Sequence, residues 1–392
     1  MSVLTPSIIS ELDAKDIVQT ILSISLVTYM LFRSKIINRA DVIEEGSFDS
    51  EYKRGKRLGA GAFSIVIDAT KKGTTNSYAV KIVDKSKMSK QDSIALQDEI
   101  QILNELRHNN IIRLYNIYSE AKHFFLVTEK MNGGELFDRI VAKTFYSEKE
   151  ARDVVKILFE AIDYCHDNQV AHRDLKPDNL LLLSKDDDSQ LKIADFGFAK
   201  KAPSENCLTT MCGTPGYVSP EVLSDVAYGT KSDMWSLGVI IYILLGGYPP
   251  FTHDNNRMLF HMIRKGQFEF HEDYWGNISD DAKDLIKCLL TVDPSKRISA
   301  NDALKHKWIV QDGNVLKDSV VNLSELRVFN AKRKFKAAAK AVIAINRASS
   351  VFGDIEPVKM THRNPKFKTV ANAVIAVHKM SSLGVDFKQN LE

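Results

Sequence analysis

The spacing of apolar residues divides the chain into three regions. Between residues 52 and 309, strand-like and helix-like patterns follow one another without a long polar break. Segments 52–66 and 77–83 are rich in β-branched and aromatic residues, which predicts strands. Segment 93–106 carries Ile94, Ile100, Leu103 and Leu106 at helical spacing, which predicts a helix. Segment 124–128 predicts another strand, and the Asn-Gly-Gly at 132–134 breaks it. Helical patterns dominate beyond that point, at 148–166, 231–245 and 280–290. The expected fold class is α+β, a small β-rich lobe followed by a larger helical lobe. The cleft between two such lobes is a natural ligand site.

The flanks differ from this middle region. Residues 1–50 hold an apolar run, 17–32, followed by an acidic linker (Asp41, Glu44, Glu45, Asp49). The run has 16 residues without a charge. That is roughly 24 Å of helix, short of the roughly 20 residues that span a bilayer. Acidic residues precede it and Arg33, Lys35 and Arg39 follow, the reverse of a signal peptide. Two readings stand: a membrane-associated anchor that leaves the rest in the cytosol, or a buried or partner-bound helix.

Residues 310–392 form a basic and Ala-rich tail with an internal repeat. Residues 334–350 (KFKAAAKAVIAINRASS) realign with 366–382 (KFKTVANAVIAVHKMSS) at a shift of 32, with ten of seventeen positions identical. Two copies are too few for a solenoid, so a duplicated helical binding segment is expected. Within 326–347 the residues Val328, Phe335 and Val342 are seven apart and lie on one helical stripe. Basic residues fill the spaces between them. A basic amphipathic helix of this kind suits a membrane surface or a calmodulin-type groove.

Composition adds little beyond this. The chain is 44% hydrophobic and 26% charged, with a net charge of +3. That is ordinary for a soluble protein and gives no reason to expect nucleic acid as a partner. The four cysteines show no paired spacing, which suits a reducing, cytoplasmic setting.

The chemistry is concentrated in four short motifs. Gly59 and Gly61, in GAGAFSIV at 59–66, let a backbone approach phosphates closely. Lys81, in Ala79-Val80-Lys81, sits among strand residues, and Glu99 on the following helix is its candidate partner. In His172-Arg173-Asp174-Leu175-Lys176-Pro177-Asp178-Asn179, Asp174 can accept the proton of a substrate hydroxyl. Asn179 and Asp195, the latter in Asp195-Phe196-Gly197, supply the oxygen ligands that Mg²⁺ prefers. Lys176 can offset charge on a transferring phosphoryl group.

In this order the motifs resemble the protein-kinase family. The match continues through Ser219-Pro220-Glu221, Asp233-Met234-Trp235-Ser236-Leu237-Gly238 and Arg297, and covers roughly residues 52–309. The resemblance implies an ATP- and Mg²⁺-dependent enzyme of bilobal fold, with an N-lobe at 52–131, a C-lobe at 132–309 and adenine in the interlobe cleft. It assigns nucleotide contacts to Leu58, Gly59, Ala60, Gly61, Ala62, Phe63, Ser64, Ile65, Val66, Lys81, Glu129, Met131 and Glu135. It also implies a buried ion pair between Glu221 and Arg297, and a hydrogen bond from Thr214 to Asp174. Lys176 and Thr214 resemble the serine/threonine members.

Further stretches, GGELFDRI at 133–140, CGTPGYVSPEVL at 212–223 and GGYPPF at 246–251, resemble the calcium/calmodulin-dependent group. There, Glu135 and Asp178 match positions that favour a basic residue three before the phosphorylated Ser or Thr. Thr210 matches a threonine phosphorylated by an upstream kinase, with Arg173 placed to pair with the phosphate. Phe329-Asn330-Ala331-Lys332-Arg333-Lys334 resembles the segment that blocks the substrate cleft until calmodulin removes it. Val328, Phe329, Lys332, Arg333, Lys334, Phe335 and Val342 are the implied calmodulin contacts. The acidic triplet at 186–188 lacks the glycine and distal glutamate of a Ca²⁺ loop and is expected to be a solvated turn. The expected protein is a monomeric, calmodulin-regulated Ser/Thr kinase acting on protein substrates; the alternatives are the same activity controlled by activation-loop phosphorylation or membrane attachment without calmodulin, or a catalytically silent scaffold.

Overall fold

The computed structural model describes Glu44 and residues 46–60, 64–185, 187–312, 316 and 319–351. The apolar run 17–32 and the second repeat copy, 366–382, lie outside the described residues. Among the described residues, no helix is long and apolar enough to cross a membrane. The chain divides into two units. One comprises residues up to Gln91 with Arg113–Glu129, and the other Asp92–Ile112 with everything from Lys130.

The first unit is a five-stranded antiparallel sheet. A one-turn helix, α1 (Phe48–Glu51), leads into β1 (Tyr52–Ala60), β2 (Ser64–Lys71) and β3 (Ser77–Asp84). β4 (Leu114–Ser119) and β5 (His123–Glu129) complete it in the order β1-β2-β3-β5-β4. Side chains alternate across a strand. Ile67, Ala69, Val80, Ile82, Phe125 and Val127 therefore share one face, which packs on Phe48, Tyr52 and Tyr118. Phe48 is fully buried and stacks on Tyr52 and Phe125 at 5.2 and 4.7 Å.

Three features go beyond the sequence reading. The stretch 52–66 is two antiparallel strands, with Gly59 opposite Val66, because β-branched composition does not reveal where a chain reverses. β4 is a strand beyond those expected from the sequence. Finally, the compact unit begins before residue 52, since Phe48 belongs to its core and the Glu44 amide donates to the Ile117 carbonyl at 2.9 Å.

The second unit is helical. Its helix α2 (Lys90–Glu105) carries Glu99, and from Asp92 onward it groups with this unit. The reason lies in its contacts: Asp98 pairs with Lys200 at 3.4 Å, Glu105 with Lys201 at 2.5 Å, and Tyr164 holds the Arg107 amide at 3.0 Å. Helix α3 is Leu136–Ala142 and α4 is Glu148–Asp167; Ser147 and Glu150 close a reciprocal capping box at the start of α4. Helices α5 (Pro220–Leu223), α6 (Lys231–Gly246), α7 (Asn256–Lys265), α8 (Glu272–Trp275), α9 (Asp280–Leu289), α10 (Ala300–Leu304) and α11 (Lys307–Val310) follow. α6 is buried from Ser232 to its end, as a helix apolar on all sides must be.

Short strands brace the loops between these helices. β6 (Gly134–Glu135), β8 (Leu180–Leu182) and β9 (Leu191–Ile193) form one sheet; β7 (Val170–Ala171) and β10 (Lys200–Lys201) form another. Loop 172–179 is thus strung between β7 and β8, and loop 194–199 between β9 and β10. The two ladders hold these loops side by side. In the turn at 187–190, Asp187 accepts from the Ser189 amide, while Asp188 pairs with Lys143 at 2.6 Å and Arg139 at 3.2 Å. Asp188 therefore anchors the turn to α3 rather than standing in solvent.

The last described element, α12 (Leu323–Val351), has 29 residues, a length of ~43 Å. Its first turns pack on α3 and α6. Leu323, Leu326 and Asn330, at spacings of three and four, are buried against the helical unit.

Candidate active site

Loop 172–179 turns sharply at Arg173, whose φ of 68° is left-handed. Such backbone leaves amides without strand partners, and a buried carboxylate takes them up. Asp233, at the start of α6, accepts from the His172 amide at 2.9 Å, the Arg173 amide at 2.8 Å and His166 Nε2 at 3.0 Å. Burial opposes the Asp233 charge, yet the His166 contact, the neighbouring histidines and the Arg173 amide hold its carboxyl below the usual range.

Asp174 is 3% exposed. Its Oδ1 accepts from Thr214 Oγ1 at 2.7 Å and its Oδ2 from Lys176 Nζ. Lys176 also reaches Thr214 Oγ1 at 3.2 Å. Both carboxylate oxygens are therefore oriented by donors. Asn179 gives its side-chain N–H to the Asp174 carbonyl at 2.8 Å, which leaves the Asn179 amide oxygen as an acceptor.

The neighbouring loop is joined to this one. The Ala194 amide donates to the Asn179 carbonyl at 2.9 Å, and the His172 ring contacts the Ala194 carbonyl at 3.2 Å. Phe196 is fully buried and meets His172 edge-on at 4.7 Å. Asp195, with φ of 60°, stays exposed, its Oδ1 accepting from the Gly197 amide at 3.4 Å. A Cβ added at Gly197 would lie 3.2 Å from Asp195 Oδ1 and 3.8 Å from Glu99 Oε2. Glycine there spares the Asp195 carboxylate a tight contact, with the Glu99 carboxylate nearby. The oxygen donors of Asn179 and Asp195 are the type that fits a hard divalent cation.

An acidic surface borders the loop. Glu135 precedes α3, Asp138 lies one turn on, and Asp178 belongs to loop 172–179. α12 covers them. Arg333 Nη2 donates to Glu135 Oε2 at 2.6 Å, and Nη1 lies 3.0 Å from Asp178 Oδ1. Lys334 pairs with Glu135 at 2.5 Å and Asp138 at 2.8 Å, and Asn330 donates to Asp138 at 2.9 Å. Burial opposes the Arg333 charge, but the Glu135 and Asp178 carboxylates outweigh it and raise its pKa. Phe329 packs on Phe137, ring centres 6.4 Å apart. On the far side of the helix, Val328 and Phe335 are exposed, at 38% and 37%.

In the segment before α5, Arg173 donates to the Phe198 carbonyl at 2.6 Å and to Tyr228 Oη at 3.0 Å. Tyr228 Oη donates in turn to the Thr210 carbonyl at 2.7 Å, with Cys212 Sγ at 3.7 Å. Burial pushes the Tyr228 phenol up to about 12 against the pull of Arg173. The Thr210 side chain is exposed. Beneath this segment, Arg297 forms a two-point pair with Glu221 at 2.7 and 2.9 Å, both residues buried, and lies over the Trp235 ring at 5.2 Å.

The family described as protein kinase domain matches residues 52–309. The chain belongs to the protein kinase family. It is similar to calcium/calmodulin-dependent protein kinase type 1 of Caenorhabditis elegans, 46% identical over 292 residues, 74% of this chain and 83% of the relative. The protein of that name from Caenorhabditis briggsae is 42% identical over 338 residues, 85% and 93% of the two chains. The human type IV calcium/calmodulin-dependent protein kinase is 43% identical over 312 residues, 79% and 65%. This kinase is a serine/threonine protein kinase, and its family uses ATP with a divalent metal.

The kinase's expected site residues fall in both units. In the helical unit Asp174, Lys176, Asn179, Asp195 and Thr214 converge, and Glu99 joins them at Gly197. In the sheet, Val66 pairs with Lys81 and Lys81 with Leu126, so these share one face with Gly59, Ala79 and Thr128. Ile65 pairs with Ile82 on the opposite face, so only its backbone is available to a nucleotide on the Lys81 face. Gly61, Ala62 and Phe63 lie outside the described residues. Glu129 is engaged with Arg113, accepting from its amide at 2.7 Å. Asp138 and Asn330 are site residues beyond those that the sequence singles out. Asp138 stands one helical turn beyond Glu135, and that i, i+3 spacing was the available signal.

Proposed function

We propose that this kinase is held inactive by its own tail helix and released by Ca²⁺-loaded calmodulin. Arg333 and Lys334 lie on Glu135 and Asp178, the carboxylates assigned to reading a basic residue of the substrate, and on the neighbouring Asp138. That observation carries the proposal: the tail occupies the place of the substrate's own cation. The opposite stripe of α12, with Val328 and Phe335, faces solvent. At about 100° per residue, the two sets of residues fall on opposite sides of the helix. A partner with an apolar groove and acidic rim could therefore engage α12 before the inhibitory contacts break. The names of the relatives support calmodulin as that partner.

For the chemistry, Asp174 is proposed as the base that orients the substrate hydroxyl and takes its proton. The hydrogen bonds from Thr214 and Lys176 support this, since they aim the carboxylate before substrate arrives. Lys176 then faces charge on the transferring phosphoryl group. Asn179 and Asp195 would hold Mg²⁺, which would supply positive charge to offset that of the nucleotide phosphates. Lys81 is assigned to the nucleotide phosphates. Thr210 is proposed as the site of an upstream kinase. A phosphate there would sit close to Arg173, which is already tied to the Thr210 backbone through Tyr228.

Phosphate transfer to an Arg-x-x-Ser peptide by the full chain tests this reading. Activity is expected to rise with Ca²⁺-calmodulin and to fall by about a hundredfold or more in Asp174→Ala. Equal activity with and without calmodulin, together with no complex between the two proteins, would refute calmodulin control.

A further inference from the structure

Arg173 precedes Asp174, and its guanidinium reaches out of the loop toward the segment before α5. Its Nη1 donates to Tyr228 Oη at 3.0 Å. A phenol has a single proton to give, and Tyr228 gives it to the Thr210 carbonyl at 2.7 Å. The polarity of this relay is therefore fixed, from guanidinium to hydroxyl to carbonyl. A hydroxyl that accepts from a cation donates more strongly in turn.

The backbone around Tyr228 holds the same segment. Leu208 and Tyr228 exchange amide hydrogen bonds at 3.0 and 2.8 Å. Thr230 Oγ1 donates to Glu205 Oε1 at 2.9 Å. A Cβ added at Gly229 would fall 3.0 Å from Glu205 Cα and closer still to its carboxylate, so glycine is what admits this approach. Residues 205–210 are thus strapped to 228–230 through Glu205, Leu208 and Thr210. Just beyond, a Cβ at Gly213 would lie 2.9 Å from the Arg173 carbonyl, and Thr214 donates to Asp174 at 2.7 Å. Where Thr210 is held therefore governs where Thr214 meets the base.

We propose that Tyr228 is a positioning residue for phosphoryl transfer: its hydroxyl ties Arg173 to the Thr210 backbone and so sets Thr214 on Asp174. The clamp is made of the chain's own atoms and works with an unmodified Thr210. A phosphate on Thr210 would give Arg173 an anionic partner and make the hydroxyl dispensable. The proposal rests on the reading above of Asp174 as base and Thr210 as the upstream kinase's site.

Tyr228→Phe, which removes only the hydroxyl, tests it. Steady-state kinetics compare the full-length variant with wild type, each made with threonine or with phosphothreonine at 210, and with Ca²⁺-calmodulin present. In the threonine form the variant's kcat should fall about tenfold, the loss expected when a hydrogen bond from a charged group and one to a carbonyl both go. KM for ATP should stay the same, because no nucleotide contact is assigned to this segment. Phosphothreonine should restore most of kcat. An unchanged kcat in the threonine form overturns the proposal. So does a fall in kcat with a matching rise in KM for ATP in both forms, which signals general loss of structure. A fall in kcat that phosphothreonine does not restore, at constant KM, supports the clamp and refutes Thr210 as the phosphate site. Failure of Asp174 as base is read separately, from Asp174→Ala. Should the variant not fold, amide exchange in wild type decides. The Leu208 and Tyr228 amides are expected to exchange slowly in the threonine form, and fast exchange there overturns the clamp.

Discussion

Arg333 meets Glu135 at 2.6 Å across 198 positions of sequence. Their side chains are only 11% and 22% exposed, so this charged hydrogen bond is largely shielded from water. Contacts of this type contribute about 1.5–3 kcal/mol. With Lys334 alongside, the pair would make the tail, on the function proposed above, an intramolecular competitor for the surface that reads a substrate's cation.

Replacing Arg333 and Lys334 with alanine should therefore raise activity without calmodulin by roughly tenfold to a hundredfold, the population shift corresponding to those energies. Glu135→Gln should separate two roles. Basal activity on a peptide lacking the basic residue should rise, while kcat/KM on an Arg-x-x-Ser peptide should fall. Steady-state assays on both peptides check this; unchanged basal activity in the double alanine variant would remove the inhibitory role of α12.

Asp174 and Thr214 should act unequally in catalysis. Asp174→Ala should lower kcat by about 10²–10⁴-fold, the usual contribution of a positioned base. Thr214→Val removes one donor at 2.7 Å but leaves the Lys176 contact, so a smaller fall in kcat is expected. Equal losses in the two variants would contradict a hierarchy with Asp174 at its centre.

The Glu221–Arg297 pair should matter for stability through its burial. Arg297→Leu strands the Glu221 carboxylate among apolar neighbours, a change that costs about 3–5 kcal/mol. Removing both charges, in Arg297→Leu with Glu221→Leu, should recover part of that loss because no unpaired ion remains. Denaturant unfolding of the two variants checks the ordering; a double variant less stable than the single one would be the contrary result.

Asp233 predicts the acid limb of stability. Its folded pKa lies below the ordinary 3.8, so the unfolded chain takes up the proton first as pH falls. The stabilisation from this carboxylate is complete above its unfolded value, near pH 4, and is lost as pH drops through the folded value. The stability difference between wild type and Asp233→Asn should shrink as pH falls below about 4. Unfolding curves across that range measure it, and a difference that grows on acidification would have the wrong sign.

Much of this protein is local and could be read along the chain. Asp174, Lys176 and Asn179 sit within one eight-residue loop motif, so sequence order alone brings them together. Helices α4 and α9 follow from periodicity, because a 3.6-residue repeat marks one buried face whatever its partner, while α6 follows from its length and its apolar residues on all sides. The same periodicity shows that 326–347 has an apolar stripe carrying Val328 and Phe335. It does not show that this stripe faces solvent while the intervening Leu326, Asn330 and Arg333 dock. Nor does it reveal Phe48 in the sheet core, the reversal between Gly59 and Val66, or Asp138 beneath Lys334. Each depends on which distant surface supplies the complementary shape or charge. Composition and spacing determine what a segment can bury; only the packed chain decides against what.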